Sequence, residues 1–199
     1  MAARPNIRPS YAFVVDGETE IWYLNMLKRN EKHLQIAIRP ELAQKKSLQE
    51  QFNQVCLLSE DYPTVFWVVD IDTYIRENRE NPRLAKIREL ADFKSKIPEN
   101  VVFIANTPCF EIWVLLHLMN TGRYFDCCDA VIREIRKHKE FSSYEKTQRY
   151  FTQGNDIYKR LRQYLSFAKA NASRLPEIDF DEIERGVCQM YKIFDVLKL

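Results

Sequence analysis

Two aspartates close an apolar run in the first half of the chain. Asp70 and Asp72 follow residues 65–69, which are all apolar and mostly β-branched. Such a run is typical of a strand buried on both faces of a mostly parallel sheet. In an extended chain alternate side chains point the same way, so both carboxylates are expected at the strand's carboxyl end, where open α/β sheets bind ligands. The pair predicts a metal site; the alternative is a strand that simply ends in an acidic turn.

A second group of acids follows an earlier apolar run. Residues 11–15 predict a short strand, and Gly17 indicates a turn after it. From Ile21 onwards, apolar residues recur at helical spacing. The acids at this strand-to-helix junction are Asp16, Glu18 and Glu20. Helix capping and interaction with the helix dipole would explain these acids without a catalytic or metal-binding role.

Glu111 brings a third acidic position to the same edge of the predicted sheet. Residues 101–105 form a further apolar run and predict a buried strand. Thr107 suits an N-cap and Pro108 suits the first helical position, so a helix is predicted to begin where that strand ends. Glu111 then lies near its first turn, as a site residue or only as a partner of the helix dipole. His117 lies deeper, among leucines, and is interpreted as a packed core histidine rather than a ligand.

The composition is that of a helix-rich globular protein. Of 199 residues, 46% are hydrophobic, 29% are charged and only four are glycine, which argues against disorder and against a β-sandwich. Apolar runs stay well short of the ~20 residues of a membrane span, and the first residues lack the apolar core of a signal peptide. We therefore expect a cytoplasmic protein without membrane contact. The five cysteines include no C-x-x-C pair, which argues against a disulfide framework or a structural zinc site.

Strand and helix signals alternate through the first 122 residues. The remaining signals are a strand at residues 34–38, helices at 47–58 and 83–96, and a polar loop or helix start at 74–82 that would lie over the acidic site. Together they predict an α/β fold with a mostly parallel four-stranded sheet flanked by helices. Beyond Gly122 charged helices without strands are predicted near residues 129–138, 154–171 and 180–197. The expected division is an α/β domain at residues 8–122 and a helical C-terminal appendage at residues 123–199.

The C-terminal region is locally basic. Residues 123–174 carry twelve Lys or Arg against six Asp or Glu. A basic region beside an acidic metal crevice suits a phosphodiester substrate, because cations bind the phosphate backbone. A solvated helix face explains the same pattern without any ligand. The candidate nucleic-acid contacts are Lys159, Arg160 and Arg162.

The three acidic stretches resemble the motifs of the RloB-like family in order and spacing. They are Val14-Val15-Asp16-Gly17-Glu18-Thr19-Glu20 with Trp22-Tyr23, then Val69-Asp70-Ile71-Asp72, then Asn106-Thr107-Pro108-Cys109-Phe110-Glu111-Ile112-Trp113-Val114-Leu115-Leu116-His117. The last stretch is fairly specific to the family, whereas the first two are shared with the broader Toprim (topoisomerase-primase) fold. The resemblance covers about residues 10 to 175 and implies a Toprim-like α/β domain. RloB-like proteins are found with bacterial restriction and phage-defence genes.

The resemblance implies a nuclease or phosphoryl-transfer site that uses Mg²⁺ or Mn²⁺. The implied metal ligands are Asp16, Asp70 and Asp72, and the implied catalytic residues are Asp16, Glu20 and Glu111. Toprim enzymes carry a glutamate where this chain has Asp16, whose side chain is one methylene shorter. The expected function is phosphodiester hydrolysis on a nucleic acid in phage defence, and a defence-operon partner or an oligomer is compatible with it. The alternative is a catalytically silent sensor subunit that binds a nucleotide or nucleic acid.

Overall fold

A five-stranded sheet forms the centre of the molecule in the computed structural model, which describes residues 10–15, 17–39 and 46–199. The strands are β1 (Ser10–Val14), β2 (Gln35–Arg39), β3 (Thr64–Asp70), β4 (Val101–Thr107) and β5 (Val187–Cys188). Their order in the sheet is β2-β1-β3-β4-β5; the first four are parallel, and β5 runs antiparallel to β4. The mostly parallel α/β fold is confirmed, but the predicted count of four strands omitted β5.

Helices connect and cover the strands. The described α-helices are α1 (Glu18–Asn30), α2 (Leu48–Asp61), α3 (Ile71–Glu80), α4 (Lys86–Lys94), α5 (Glu111–Leu116), α6 (Cys128–Arg136), α7 (Gln148–Thr152), α8 (Ile157–Arg162), α9 (Leu165–Ala172) and α10 (Tyr191–Leu197), with 3₁₀ turns at Pro82–Leu84 and Lys139–Phe141. The polar segment predicted as a loop or helix start is α3. A Ser47 capping box, in which Ser47 and Glu50 exchange hydrogen bonds, begins α2.

The sheet is covered on both faces, as its apolar strands predict. Side chains of β3 alternate, so Phe66 and Val68 pack with α1 and the C-terminal helices, whereas Val65, Trp67 and Val69 pack with α2, α3 and α4. The chain runs from β1 to β2 on one side and then crosses back to β3 on the other side of β1, so the winding direction reverses beside β1. Open α/β sheets bind their ligands at such a reversal, outside the carboxyl ends of the strands.

The C-terminal residues pack onto the same sheet. Phe151, Leu161 and Phe194 are fully buried in one apolar cluster with Phe13 and Trp113. Residues 123–199 also supply β5, so the expectation of a strand-free C-terminal part was wrong. Only α10 lies in the helix predicted at residues 180–197. The division at residues 122 and 123 stays a prediction.

The described helices are also too short or too polar for a bilayer. No helix within residues 10–15, 17–39 and 46–199 is long and apolar enough to cross a membrane.

Candidate metal centre

A cavity of about 210 Å³ lies outside the carboxyl ends of β1 and β3. Its chemically active lining residues are Glu20, Asp70, Asp72, Cys109, Cys128 and Lys146. The acids come from the junctions that follow β1 and β3, which are the junctions where the sequence predicted them. The structure therefore brings three of the sequence-predicted site residues to one cavity.

Asp70 ends β3 and lies where hydrogen bonds converge from the next strand and its turn. The backbone N–H of Phe110 donates to its Oδ2 at 3.1 Å, and Nδ2 of Asn106 donates to its Oδ1 at 3.4 Å. Burial raises the pKa of Asp70 well above its usual range, and the charges of Glu20 and Glu111 raise it further. Protonation of Asp70 is favoured because its carboxyl lies close to Glu20 and Glu111 in a poorly solvated space.

Asp72 does not continue the strand. The chain turns into α3 at Ile71, so the extended geometry expected for the Asp70–Asp72 pair was wrong. The backbone N–H of Asp72 donates to the carbonyl of Pro108 at 3.2 Å, which ties this first helical turn to the loop after β4. Both carboxylates still line the cavity, and burial raises the pKa of Asp72.

Glu20 reaches the cavity from the first turn of α1. It is 5% exposed, and burial followed by the charge of Glu111 raises its pKa from 4.5 to about 7, although it also hydrogen-bonds Asp70. The residue that leads into the helix is Gly17, and a Cβ there would overlap the Glu20 carboxylate. A side chain at position 17 would therefore push Glu20 out of its place.

Glu111 is the first residue of α5 and is fully buried. Its Oε1 accepts from the Tyr144 hydroxyl at 3.3 Å and lies 3.1 Å from Nζ of Lys146. Its Oε2 lies 3.2 Å from the same Nζ and 2.9 Å from Sγ of Cys128. The helix dipole explanation is thus incomplete, because side chains from the C-terminal region converge on this carboxylate.

Lys146 is a site residue that the sequence reasoning missed. Its side chain is 42% exposed and it belongs to the loop before α7. Burial lowers its pKa, but the charge and hydrogen bond of Glu111, with the charges of Glu20 and Asp70, outweigh that effect and raise it. Lys146 is therefore a cation that partly neutralises the acidic cavity. A single lysine in a polar loop carries no sequence signal for such a role.

A disulfide joins Cys109, in the turn after β4, to Cys128, at the start of α6. An odd number of cysteines without a C-x-x-C pair predicted no disulfide framework, but this one pair, 19 residues apart, is bonded. The two sulfurs and a Glu111 oxygen lie within 4.8 Å of one another. Among the described residues, no three carboxylates converge as closely.

Two polar side-chain atoms at the end of β4 are buried with no hydrogen-bond partner in the described part of the chain. They are Oδ1 of Asn106 and Oγ1 of Thr107. The sequence predicted Thr107 as a helix N-cap, but β4 continues through Thr107, a cis peptide bond leads to Pro108, and α5 begins only at Glu111. Buried acceptors without partners are rare in proteins, and an ion or water usually explains them.

The remaining sequence-predicted residues have different outcomes. Asp16 lies outside the described residues, so its expected role as a metal ligand and catalytic residue stays a prediction. His117 is 2% exposed, its Nδ1 lies 2.8 Å from the Trp113 carbonyl, and burial lowers its pKa to about 4, which agrees with a packed core histidine.

The predicted nucleic-acid contacts lie on α8 and do not line the acidic cavity. Arg160 donates to the Glu140 carbonyl at 2.8 Å and to the Tyr150 hydroxyl at 2.6 Å, and Nε of Arg162 lies 3.4 Å from Glu31. Lys159 has a longer contact, 4.0 Å from Asp156. Two of the three cations thus have close partners within the chain.

The donor set fits a hard divalent cation. Carboxylate oxygens are ligands that Mg²⁺ and Mn²⁺ prefer, and Asp70 and Asp72 supply them in the cavity lining, whereas Asn106 is fully buried and does not line the cavity. Repulsion by Glu111 contributes to the raised pKa values of both Glu20 and Asp70, and a cation would relieve it.

Comparison with known proteins covers nearly the whole chain. Residues 11–197 match the family model described as RloB-like protein. Comparison with curated proteins and with solved structures gave no match. The matched range contains Glu20, Asp70, Asp72, Glu111 and Lys146, as well as the C-terminal elements up to Leu197. The chain therefore belongs to the RloB-like family.

Proposed function

We propose that this protein hydrolyses phosphodiester bonds with the help of Mg²⁺ or Mn²⁺. The observation that carries the proposal is the convergence of Glu20, Asp70 and Asp72 on one cavity at the switch point of a parallel sheet. Membership of the RloB-like family supports a role in bacterial phage defence, which is the setting expected from the sequence.

Asp70 and Asp72 are the proposed metal ligands, and both line the cavity. Asp16 keeps its place as a third proposed ligand. When bound, the metal would lower the pKa of a water molecule and stabilise negative charge on the phosphoryl oxygens. The hydrogen bonds from Phe110 and Asn106 hold the Asp70 carboxylate in a fixed orientation.

Glu20 is the proposed proton acceptor. A general base works best when its pKa is near the operating pH, and burial, the larger cause of the raised pKa of Glu20, persists when a cation offsets the charge of Glu111. Glu111 is a positioning residue in this scheme. It holds Lys146 at 3.1 Å, and this partly exposed ammonium can bind a phosphate oxygen at the cavity.

Cations in an adjoining cavity support a phosphodiester substrate. This second cavity, of about 260 Å³, shares Asp72 with the first and is lined by Arg76 and Arg79. Arg76 is exposed, and Arg79 forms an exposed ion pair with Glu184. Glu80 and Asp126 also line this cavity, so a phosphate leading away from the scissile group would depend on direct contact with the two arginines. These arginines are closer candidates for phosphate contact than the three cations of α8.

A turnover assay tests the proposal. With Mn²⁺, the purified protein is expected to nick or degrade DNA or RNA, and EDTA is expected to stop it. Asp70→Asn removes an anionic ligand and should lower the rate by ~10²-fold or more, since metal stabilisation is worth several kcal/mol. Asp61→Asn, an exposed acid at the end of α2, is the matched control and should keep full activity.

Turnover that persists in both Asp70→Asn and Asp72→Asn would contradict the proposal. The alternative, a silent sensor subunit, is favoured by one observation: Lys146 lies 3.1 Å from Glu111, so the chain itself supplies a cation to the cavity. That alternative predicts binding of a nucleotide or nucleic acid to the parent protein without any hydrolysis.

A further inference from the structure

We propose that the reduced protein binds a thiophilic divalent cation such as Zn²⁺ through Cys109, Cys128 and Glu111. This site lies at the wall of the acidic cavity, since both cysteines line it. It uses a different donor set from the proposed Mg²⁺ or Mn²⁺ ligands, and it does not rest on the proposed hydrolytic function.

The backbone places Cys109 and Cys128 close enough for both sulfurs to reach one ion after reduction. Cys109 and Cys128 belong to different elements, and their Cα atoms are 5.8 Å apart. In the disulfide the sulfurs are neutral and bonded to each other, so they are not the thiolate ligands that such an ion needs. Once the bond is reduced, a small rotation of each side chain reaches the ~3.8 Å that two Zn–S bonds of ~2.3 Å span in a tetrahedral site.

Glu111 supplies the third donor from a fixed position. Its Oε2 lies 2.9 Å from Sγ of Cys128, and the three candidate donor atoms lie within 4.8 Å of one another. Its other oxygen accepts from the Tyr144 hydroxyl at 3.3 Å. Such outer hydrogen bonds commonly orient metal ligands. The buried carboxylate therefore has one oxygen anchored and the other facing the sulfurs.

The charges of the site balance. Two thiolates and one carboxylate carry three negative charges, which a divalent cation and the ammonium of Lys146 neutralise together. Lys146 lies 3.6 Å from Sγ of Cys128 and 3.1 Å from Glu111, so it is placed to complete this balance. A neutral cluster is favoured because burial of uncompensated charge is costly.

Donor chemistry selects the metal. Thiolates favour Zn²⁺ and other thiophilic ions over Mg²⁺, and three protein ligands with an open position are the usual arrangement of an accessible zinc site. The cavity beside Cys128 leaves room for a water molecule as the fourth ligand. The site is thus distinct in metal preference from the oxygen donors around Asp70.

Metal binding at this site requires reduction of the disulfide and loss of a proton from each thiol. A trialkylphosphine and one water molecule convert the disulfide into two thiols, and the phosphine leaves as its oxide. Each thiol then loses its proton as its sulfur binds the metal, so loading releases two protons for each ion. Where thiols are kept reduced, as in most cytosols, the metal-binding form is the one expected to exist.

Cobalt spectroscopy tests the site without any activity assay. After reduction with a trialkylphosphine and its removal under nitrogen, the full chain is titrated with Co²⁺. One equivalent should produce near-ultraviolet sulfur-to-cobalt charge-transfer absorption and visible bands of a tetrahedral site, and Zn²⁺ should abolish both. The oxidised protein should give neither signal.

Variants assign the donors. Cys109→Ser and Cys128→Ser should each lose the charge-transfer band or most of its intensity, and Glu111→Gln should weaken binding by at least ~10-fold. Cys127→Ser is the matched control, because Cys127 is the neighbouring free and exposed cysteine, and it should leave the titration unchanged. Asp70→Asn should also keep the band, which separates this site from the proposed hydrolytic one.

Native mass spectrometry of the unmutated chain tests the proposal even if the variants fail to fold. The reduced protein should carry one Zn²⁺ with a mass that corresponds to the loss of two protons, and the oxidised protein should carry none at equal metal concentration. The proposal is overturned if the reduced chain binds no cobalt or zinc, or if the band survives in the double variant Cys109→Ser with Cys128→Ser.

Discussion

The ionisation of Glu20 links the acidic cavity to the pH dependence of stability. Its pKa rises from 4.5 to about 7 because the carboxyl is buried and because Glu111 lies nearby. The folded chain therefore holds a proton between pH 4.5 and 7 that the unfolded chain has lost. Stability present below pH 4.5 is lost as the pH rises through this window, since the folded state then binds more protons than the unfolded state.

Replacement of Glu20 by glutamine removes this ionisation. In EDTA at pH 8, Glu20→Gln should raise the free energy of unfolding by about 1 to 3 kcal/mol, and the gain should vanish near pH 4. Urea unfolding across the pH range measures both values. Glu18→Gln, an exposed acid in the same helical turn, is the control and should follow the parent at every pH. A variant curve parallel to the parent curve would contradict the repulsion argued for the cavity.

The sequence revealed the acids but not their partners. Asp70, Asp72 and Glu20 follow apolar runs, and parallel strands bring such positions to one edge, so their proximity could be predicted. Lys146 comes from a loop far along the chain, and no local pattern marks it. The pairing of Cys109 with Cys128 depends on how α6 packs against α5, which is a tertiary property.

At the scale of elements, buried strands were the most predictable feature. Strands β1, β3 and β4 are apolar runs covered on both faces, and their burial leaves little choice of conformation. In contrast, β5 has two residues, and its pairing with β4 depends on residues some 80 positions away. The turn after β4 also escaped prediction, because Thr107 pairs with Val187 in the sheet instead of capping a helix.

Helix α8 carries cations with two different roles. The Arg160 guanidinium lies over the rings of Phe141 and Tyr150 at 4.5 and 4.6 Å, in addition to its hydrogen bonds. Loss of these contacts should lower the free energy of unfolding by about 1 to 2 kcal/mol in Arg160→Ala. Lys159→Ala should stay within about 0.5 kcal/mol of the parent, because the Lys159 side chain is itself exposed and its contact with Asp156 is long.

Nucleic-acid binding by the same two variants completes this comparison. If Lys159 contacts a phosphate, Lys159→Ala should reduce the slope of log affinity against log salt by ~0.9 on duplex DNA, with an unchanged fold. An unchanged slope would assign Lys159 to a solvated face. Equal stability of the two alanine variants in urea would contradict the packing role of Arg160.

At the scale of the whole molecule, the C-terminal region completes the site. It supplies Tyr144 and Lys146, which contact Glu111, and Cys128 at the cavity wall. It also buries Phe194 against Trp113 of α5, with the ring centres 5.2 Å apart. The sequence predicted this region as a basic appendage, because its charge pattern is visible locally and its packing is not. Its residues instead help to position Glu111.

Cation binding at the acidic cavity should therefore stabilise the whole fold. The metal-free cavity holds acids whose repulsion raises the pKa values of Glu20 and Asp70, and a divalent cation relieves it. At a metal concentration ~100 times the dissociation constant, the stabilisation is ~2.7 kcal/mol. For a chain of this size each kcal/mol shifts the Tm by roughly 2 to 4 °C, so Mn²⁺ should raise it by about 5 to 10 °C.

The double variant Asp70→Asn with Asp72→Asn provides the decisive comparison. In EDTA it should melt at or above the parent, because repulsion among the acids has been removed, and Mn²⁺ should not shift it. Asp61→Asn, outside the cavity, should respond to Mn²⁺ as the parent does. Thermal melts of the three proteins with EDTA and with Mn²⁺ measure these differences. If the parent does not shift, or if the double variant shifts equally, Asp70 and Asp72 do not bind the metal and the proposed hydrolytic site fails with them.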